Sequence, residues 1–217
     1  MVLVRPRSYY RCHRTQGTDK GTDKVRSVGF RLGIDLDGVV ADFNRGWILA
    51  YNQRFGTELV PDMVISWDSP LDLTHFKDMT AFWTWARDHG GSSVFRHLEP
   101  YPHAVEALRG LNREGHDIVV LTAKPDWAVH DTLEWMADHR IPTREIHFTE
   151  DKHRVPCDVY LDDAPDQIRS LAAHRASEAT VCRFVRPWNE PVAGAVDVDD
   201  WEEFTTLVRG LRQASVR

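Results

Sequence analysis

Apolar residues recur along the chain in short blocks whose period switches between that of a strand and that of a helix. Phe30–Asp37 reads as a buried strand that runs into an acidic, glycine-containing turn, Asp35-Leu36-Asp37-Gly38. From Asp42 to Phe55 the period changes, with Phe43, Trp47, Ile48, Tyr51 and Phe55 at the three- and four-residue spacing of an amphipathic helix. A helix over His103–Arg113, closed by Gly115, precedes the β-branched run Asp117–Thr122, the clearest strand of all. Another helix, Trp127–His139, follows it. Glu145–Phe148, Asp158–Leu161 and Thr180–Val185 read as further strands, Ala164–Ala173 and Asp199–Leu211 as helices. Strands alternating with helices predict βαβ units, hence an α/β protein with a parallel sheet covered on both faces.

One stretch breaks the alternation. Between Phe43 and Tyr101 there is no convincing strand, yet the segment is rich in aromatic residues, Trp47, Phe76, Phe82 and Phe95 among them. A structureless loop of that length does not suit a compact domain, so a small helical subdomain is expected there, inserted after the first strand and placed as a lid. The expected boundaries are a core of residues 29–43 and 100–217 and a cap of residues 44–99. Trp67, Trp83 and Trp85 are expected in the cap's own core, with stacking on a ligand as the alternative for each. His75, His89 and His97 show no ligand spacing.

Charge and composition narrow the class. Hydrophobic residues make up 42% and charged residues 28% of the 217, a globular balance. No apolar run nears the ~20 residues of a membrane span, and Arg5-Pro6-Arg7 interrupts any secretory signal. Cys12, Cys157 and Cys182 are odd in number and far apart, which suits a reducing cytoplasm. The net charge of −6 divides into +6 over residues 1–31 and −12 over the rest. An acidic body argues against nucleic acid as a partner. Residues 1–28, basic and carrying the direct repeat Gly17-Thr18-Asp19-Lys20 and Gly21-Thr22-Asp23-Lys24, are expected to form a disordered arm.

The candidate chemistry sits where strands end, as it does in open parallel sheets. Asp35 and Asp37, then Thr122, then Lys152, then Asp162 and Asp163 occur in that order. Converging carboxylates repel one another unless a cation is present. Mg²⁺ is the natural candidate, because it prefers oxygen ligands and pairs with phosphate oxygens. Lys152 as a point charge and Thr122 as a donor suit a phosphate group, so the set reads as a phosphoryl-transfer site.

These segments resemble the motifs of the haloacid-dehalogenase-like (HAD) phosphatases. Asp35-Leu36-Asp37-Gly38-Val39-Val40-Ala41-Asp42-Phe43 is similar to their first motif, Leu121-Thr122 to the second, Lys152 to the third and Leu161-Asp162-Asp163 to the fourth. Leu98-Glu99-Pro100 and Phe148-Thr149-Glu150-Asp151-Lys152 resemble one branch, the 5′(3′)-deoxyribonucleotidases of cytosolic type C. The resemblance implies a three-layer Rossmann-like core and a Mg²⁺-dependent phosphomonoesterase acting on nucleoside monophosphates. It implies Asp35 as nucleophile, Asp37 as acid and base, and Mg²⁺ held by Asp35, the Asp37 carbonyl and Asp163, with Asp162 orienting a water. Which of the last two is the direct ligand is left open. Thr122, the Ala123 N–H and Lys152 are implied to bind the phosphoryl oxygens, and Phe43 to face the nucleobase.

The chain departs from the family at Thr122-Ala123-Lys124-Pro125, where Thr-Ser-Pro is usual. Lys124 therefore has two readings, a solvated loop lysine or a contact to a second anionic group of the substrate. Two other functions stand beside the nucleotidase: a phosphatase for another small phosphorylated metabolite, and a catalytically silent binding protein. Asp37 beside Asp35 counts against the last. A homodimer is compatible with all three.

Overall fold

In the computed structural model, which describes residues 29–215, six parallel strands form one sheet in the order β3-β2-β1-β4-β5-β6. They are β1 (Arg31–Ile34), β2 (Asp117–Thr122), β3 (Thr143–Phe148), β4 (Val159–Asp162), β5 (Thr180–Phe184) and β6 (Ala195–Val198). The helices are α1 (Phe43–Phe55), α2 (Ser69–Leu73), α3 (Met79–Arg87), α4 (Ala104–Arg113), α5 (Val129–Asp138), α6 (Pro165–Arg175) and α7 (Trp201–Ala214). The expected basic arm lies outside the described residues.

The central strands lack a polar alternation because both of their faces are covered. Leu32, Ile34, Ile118, Val120, Val159 and Leu161 join one apolar cluster with Leu108 of α4, Trp135 of α5 and Phe204 of α7. Val119, Leu121, Tyr160 and Val181 point the other way and pack with Leu171 of α6. Each fully buried aliphatic side chain contributes about 1.5–3 kcal/mol, so the two layers fix the sheet firmly. This is the expected three-layer α/β core. Strand β6 was not expected: it is a short edge strand in which Val196 is 45% exposed, so its apolar signal is weak.

After β1 the chain enters a helical insertion made of α1, α2, α3 and two single turns, Pro61–Met63 and Val94–His97. Aromatic rings hold it together, with Trp47 against Phe82 at 5.7 Å, Tyr51 against Trp85 at 5.7 Å and Phe76 against Trp85 at 5.5 Å. The entering and leaving segments run side by side. The Asp42 N–H donates to the Glu99 carbonyl (2.9 Å), and the Tyr101 N–H to that of Val40 (2.8 Å). Asp42 also caps α1, its Oδ1 accepting from the Arg45 N–H at 3.1 Å.

Candidate active site

The carboxyl ends of β1, β2 and β4 deliver the acidic residues to one place. Asp35 follows β1 directly, and its N–H donates to the Leu161 carbonyl at 3.0 Å, so it stands beside the end of β4, which Asp162 closes and Asp163 follows. Thr122 ends β2, and its carbonyl accepts from the Thr149 N–H at 2.8 Å, which draws in the segment carrying Lys152. Gly38 completes the edge. It has φ +80°, and a Cβ there would lie 2.0 Å from Asp163 Oδ2, so the position needs glycine both for its backbone and for the space the carboxylate occupies.

Lys152, 2% exposed, sits between two of the carboxylates. Its Nζ donates to Asp35 Oδ1 at 2.8 Å and to Asp162 Oδ2 at 2.6 Å. Burial alone would lower its pKa, but Asp162 and Asp35 outweigh that and hold it above the usual lysine value. Asp162 Oδ1 accepts from the Ala164 N–H at 3.0 Å, so both oxygens of Asp162 are engaged. Asp163 gives one oxygen, Oδ2, to the indole N–H of Trp188 at 2.8 Å. Burial, with Asp35 and Asp162 close by, pushes the Asp163 carboxyl up.

Asp35, Asp162 and Asp163 are all buried, and each offers a carboxylate oxygen within 4.8 Å of the others. Three carboxylates here face one buried ammonium, a surplus of negative charge that a divalent cation offsets, and oxygen donors are what Mg²⁺ takes. The residues fit the ion. A second trio, His130, Asp131 and Glu134, lies at the surface of α5 with its carboxylates already used: Asp131 accepts from the Ser93 N–H (2.6 Å), and Glu134 pairs with Arg96 (3.0 Å).

Asp37 stands apart from this cluster. Its Oδ1 is ion-paired with Lys124 Nζ at 3.0 Å. Burial raises the Asp37 pKa; the Lys124 ammonium works against this and the Asp35 carboxylate with it, and the net direction is upward. A carboxyl whose pKa is raised holds its proton more readily than an ordinary carboxyl, as a general acid must. Lys124 is buried, with its ammonium also 4.1 Å from the centre of the Phe95 ring. It is therefore not a solvated loop lysine, and its charge is directed at Asp37.

Asp35, Asp37, Phe43, Thr122, Ala123, Lys124, Lys152 and Asp163 line one cavity of about 750 Å³, and Asp162 lies behind Lys152. The opposite wall belongs to the insertion. Phe43 stacks on Phe95 (5.3 Å between ring centres, 22°) and on Trp83 (5.7 Å, 30°). Of the three tryptophans expected in the cap core, Trp83 and Trp85 pack against the apolar core and Trp67 does not. Trp83 lines the cavity, and Trp67 lines it while 60% exposed, because the insertion turns that part of its aromatic surface toward the cleft. His75 hydrogen-bonds Tyr51 (2.7 Å) and His97 hydrogen-bonds Ser92 (2.8 Å), away from the carboxylates.

Sequence reasoning missed the segment after β5. Arg186 Nε donates to the Gly38 carbonyl at 2.8 Å, while Asn189 Nδ2 donates to the Asp163 carbonyl at 2.7 Å. Neither residue belongs to a recognisable motif, and Asn189 lies 26 positions beyond the residue it holds.

A parallel α/β core with a helical insertion after its first strand, and with carboxylates gathered at the strand ends, is the architecture of the HAD fold. A solved haloacid dehalogenase-like hydrolase from Streptococcus pneumoniae shares the fold, with a TM-score of 0.55 at 13% identity, covering 83% of this chain and 98% of that one. The sequence model of the family described as "5' nucleotidase, deoxy (Pyrimidine), cytosolic type C protein" matches residues 26–214, and the chain belongs to that family of phosphoric monoester hydrolases. It is 28% identical over 177 residues to the mitochondrial 5′(3′)-deoxyribonucleotidase of Mus musculus (71% of this chain, 74% of the relative). To a 5′(3′)-deoxyribonucleotidase of Clostridium acetobutylicum it is 26% identical over 191 residues (83% and 96%).

Proposed function

We propose that the chain is a Mg²⁺-dependent 5′(3′)-deoxyribonucleotidase that removes phosphate from nucleoside monophosphates through an aspartyl-phosphate. The observation that carries this reading is the buried trio Asp35, Asp162 and Asp163, bridged in part by Lys152 and opening into a cavity walled by Phe43, Trp83 and Phe95. The acidic edge suits a phosphate with its cation, and the aromatic wall suits a heterocyclic base. The names of the relatives point to the same substrate class.

In this reading an Asp35 oxygen attacks phosphorus and the ester P–O bond breaks. Asp37, protonated, delivers its proton to the departing oxygen. Asp37 then takes a proton from water as that water's oxygen attacks phosphorus, the bond to Asp35 breaks, and inorganic phosphate leaves. Lys152, the Thr122 hydroxyl and the Ala123 N–H hold the phosphoryl oxygens where negative charge grows. Asp35, Asp163 and the Asp37 carbonyl would hold Mg²⁺, which would supply charge neutralisation there. Asp163 suits direct ligation better than Asp162, both of whose oxygens already accept hydrogen bonds. The insertion, residues 44–99, acts as the cap, and Phe43 faces the base.

The test is release of inorganic phosphate from a panel of deoxyribonucleoside and ribonucleoside monophosphates and sugar phosphates, with Mg²⁺ and with EDTA. Metal-dependent turnover led by deoxyribonucleotides, and abolished in Asp35→Asn, is the expected result. Turnover on sugar phosphates alone would move the substrate to another metabolite class, and undiminished activity in Asp35→Asn would remove the mechanism.

A further inference from the structure

The segment after β5 reaches back across the sheet edge and grips both sides of the acidic cluster. Trp188 Nε1 donates to Asp163 Oδ2 (2.8 Å), Asn189 Nδ2 donates to the Asp163 carbonyl (2.7 Å), and Arg186 Nε donates to the Gly38 carbonyl (2.8 Å). The segment is itself fixed. Asn189 Oδ1 accepts from Arg183 Nη1 at 2.7 Å and from the Arg186 N–H at 3.1 Å, and the Arg183 guanidinium is tied to Asp197 of β6 through Nε at 2.7 Å. Arg186 is sandwiched between the rings of Tyr101 (4.2 Å) and Phe184 (4.1 Å). A chain of hydrogen bonds thus runs from the edge strand to a single carboxylate.

Nothing in the chemistry of hydrolysis requires a tryptophan there. Asp163 is confined on one side by Gly38, where even a methyl group has no room, so its carboxylate can turn only if Trp188 releases it. An indole N–H bound to one carboxylate oxygen restrains the rotamer and leaves the other oxygen outside that bond. Outer partners of this kind orient metal ligands, and their loss weakens metal affinity. From this geometry we infer that Trp188, braced by Asn189, is a positioning residue that holds Asp163 in the orientation needed to bind the divalent cation. The inference rests on the metal site of the proposed function and adds to it a residue outside the four motifs.

The experiment compares the full chain with Trp188→Phe, which keeps an aromatic ring and removes the N–H. Mg²⁺ is titrated calorimetrically into both proteins, circular dichroism is recorded in EDTA, and turnover is followed against Mg²⁺ concentration. The variant is expected to keep the wild-type spectrum, to bind Mg²⁺ about 10–100-fold more weakly, and to regain turnover at saturating Mg²⁺. An unchanged dissociation constant overturns the inference. So does a variant that has lost the native spectrum in EDTA, since the residue's role is then packing. If the unmodified chain takes up no Mg²⁺, the metal reading falls first and this inference falls with it.

Discussion

Replacing Lys152 by methionine removes the ammonium that bridges Asp35 and Asp162 while nearly preserving side-chain volume. At 2.8 and 2.6 Å the two contacts are close, and Lys152 and Asp162 are 2% and 1% exposed, so water screens them little. Opposite charges about 3 Å apart attract by roughly 5 kcal/mol at an effective dielectric constant of 20, but most of that repays desolvation. The net loss on removing one partner of a buried pair is about 3–5 kcal/mol, because the remaining charges stay buried and uncompensated. Against a total stability of about 5–15 kcal/mol this is a large fraction. The assay is urea unfolding with linear extrapolation, in EDTA and again with Mg²⁺. In EDTA Lys152→Met is expected to lose about 3–5 kcal/mol, with Mg²⁺ at 100 times its dissociation constant restoring about 2.7 kcal/mol. Acidification should shrink the deficit, since Asp162 and Asp163 are already biased toward their protonated forms by burial. A loss below about 1 kcal/mol in EDTA would refute the argument, because it would match an exposed pair rather than a buried bridge.

Two further outcomes follow from other parts of the structure. Gly38→Ala, at φ +80° with Asp163 Oδ2 2.0 Å from the new Cβ, should lose more than about 1 kcal/mol and most of its Mg²⁺ affinity, as read by thermal unfolding with and without the ion. His116 is 1% exposed, its Nδ1 accepts from the Phe30 N–H at 3.1 Å, and its Nε2 has no hydrogen-bond partner. Burial, aided by Arg212, holds its pKa below the ordinary 6.5, so the folded state prefers the neutral ring. Its contribution is complete above pH 6.5 and is lost as pH falls through the folded value. The raised aspartates pull the opposite way, so the readout is the difference in urea midpoint between wild type and His116→Gln, which should narrow as the solution is acidified. A pH-independent difference would contradict it.

Much of this was legible in the chain itself. Strand β2 was visible because it is buried on both faces and built of β-branched residues. Asp35, Thr122 and Asp162 could be placed together because parallel topology puts every strand's carboxyl end on one edge, whatever the distance in sequence. Other features carry no local signal. Val196 and Asp197 of β6 face solvent, so half of that strand looks like loop. Trp188 and Arg186 act through long-range hydrogen bonds, 25 and 148 positions from their partners, which no period or motif announces. Lys124 kept two readings for a related reason: the Asp37 and Phe95 that bury it come from the first turn and from the far end of the insertion. Aromatic residues in the insertion were recognisable as a group, but whether each ring faces the insertion's centre or the cleft depends on how that unit sits on the sheet.

The most direct measurement is acid quenching during turnover of a deoxyribonucleoside monophosphate with Mg²⁺, followed by peptide mass spectrometry. The account predicts a transient phosphoryl group on the peptide containing Asp35, absent from Asp35→Asn and from samples in EDTA. Steady turnover with no phosphoryl group on that peptide, or with the group on another residue, would contradict it.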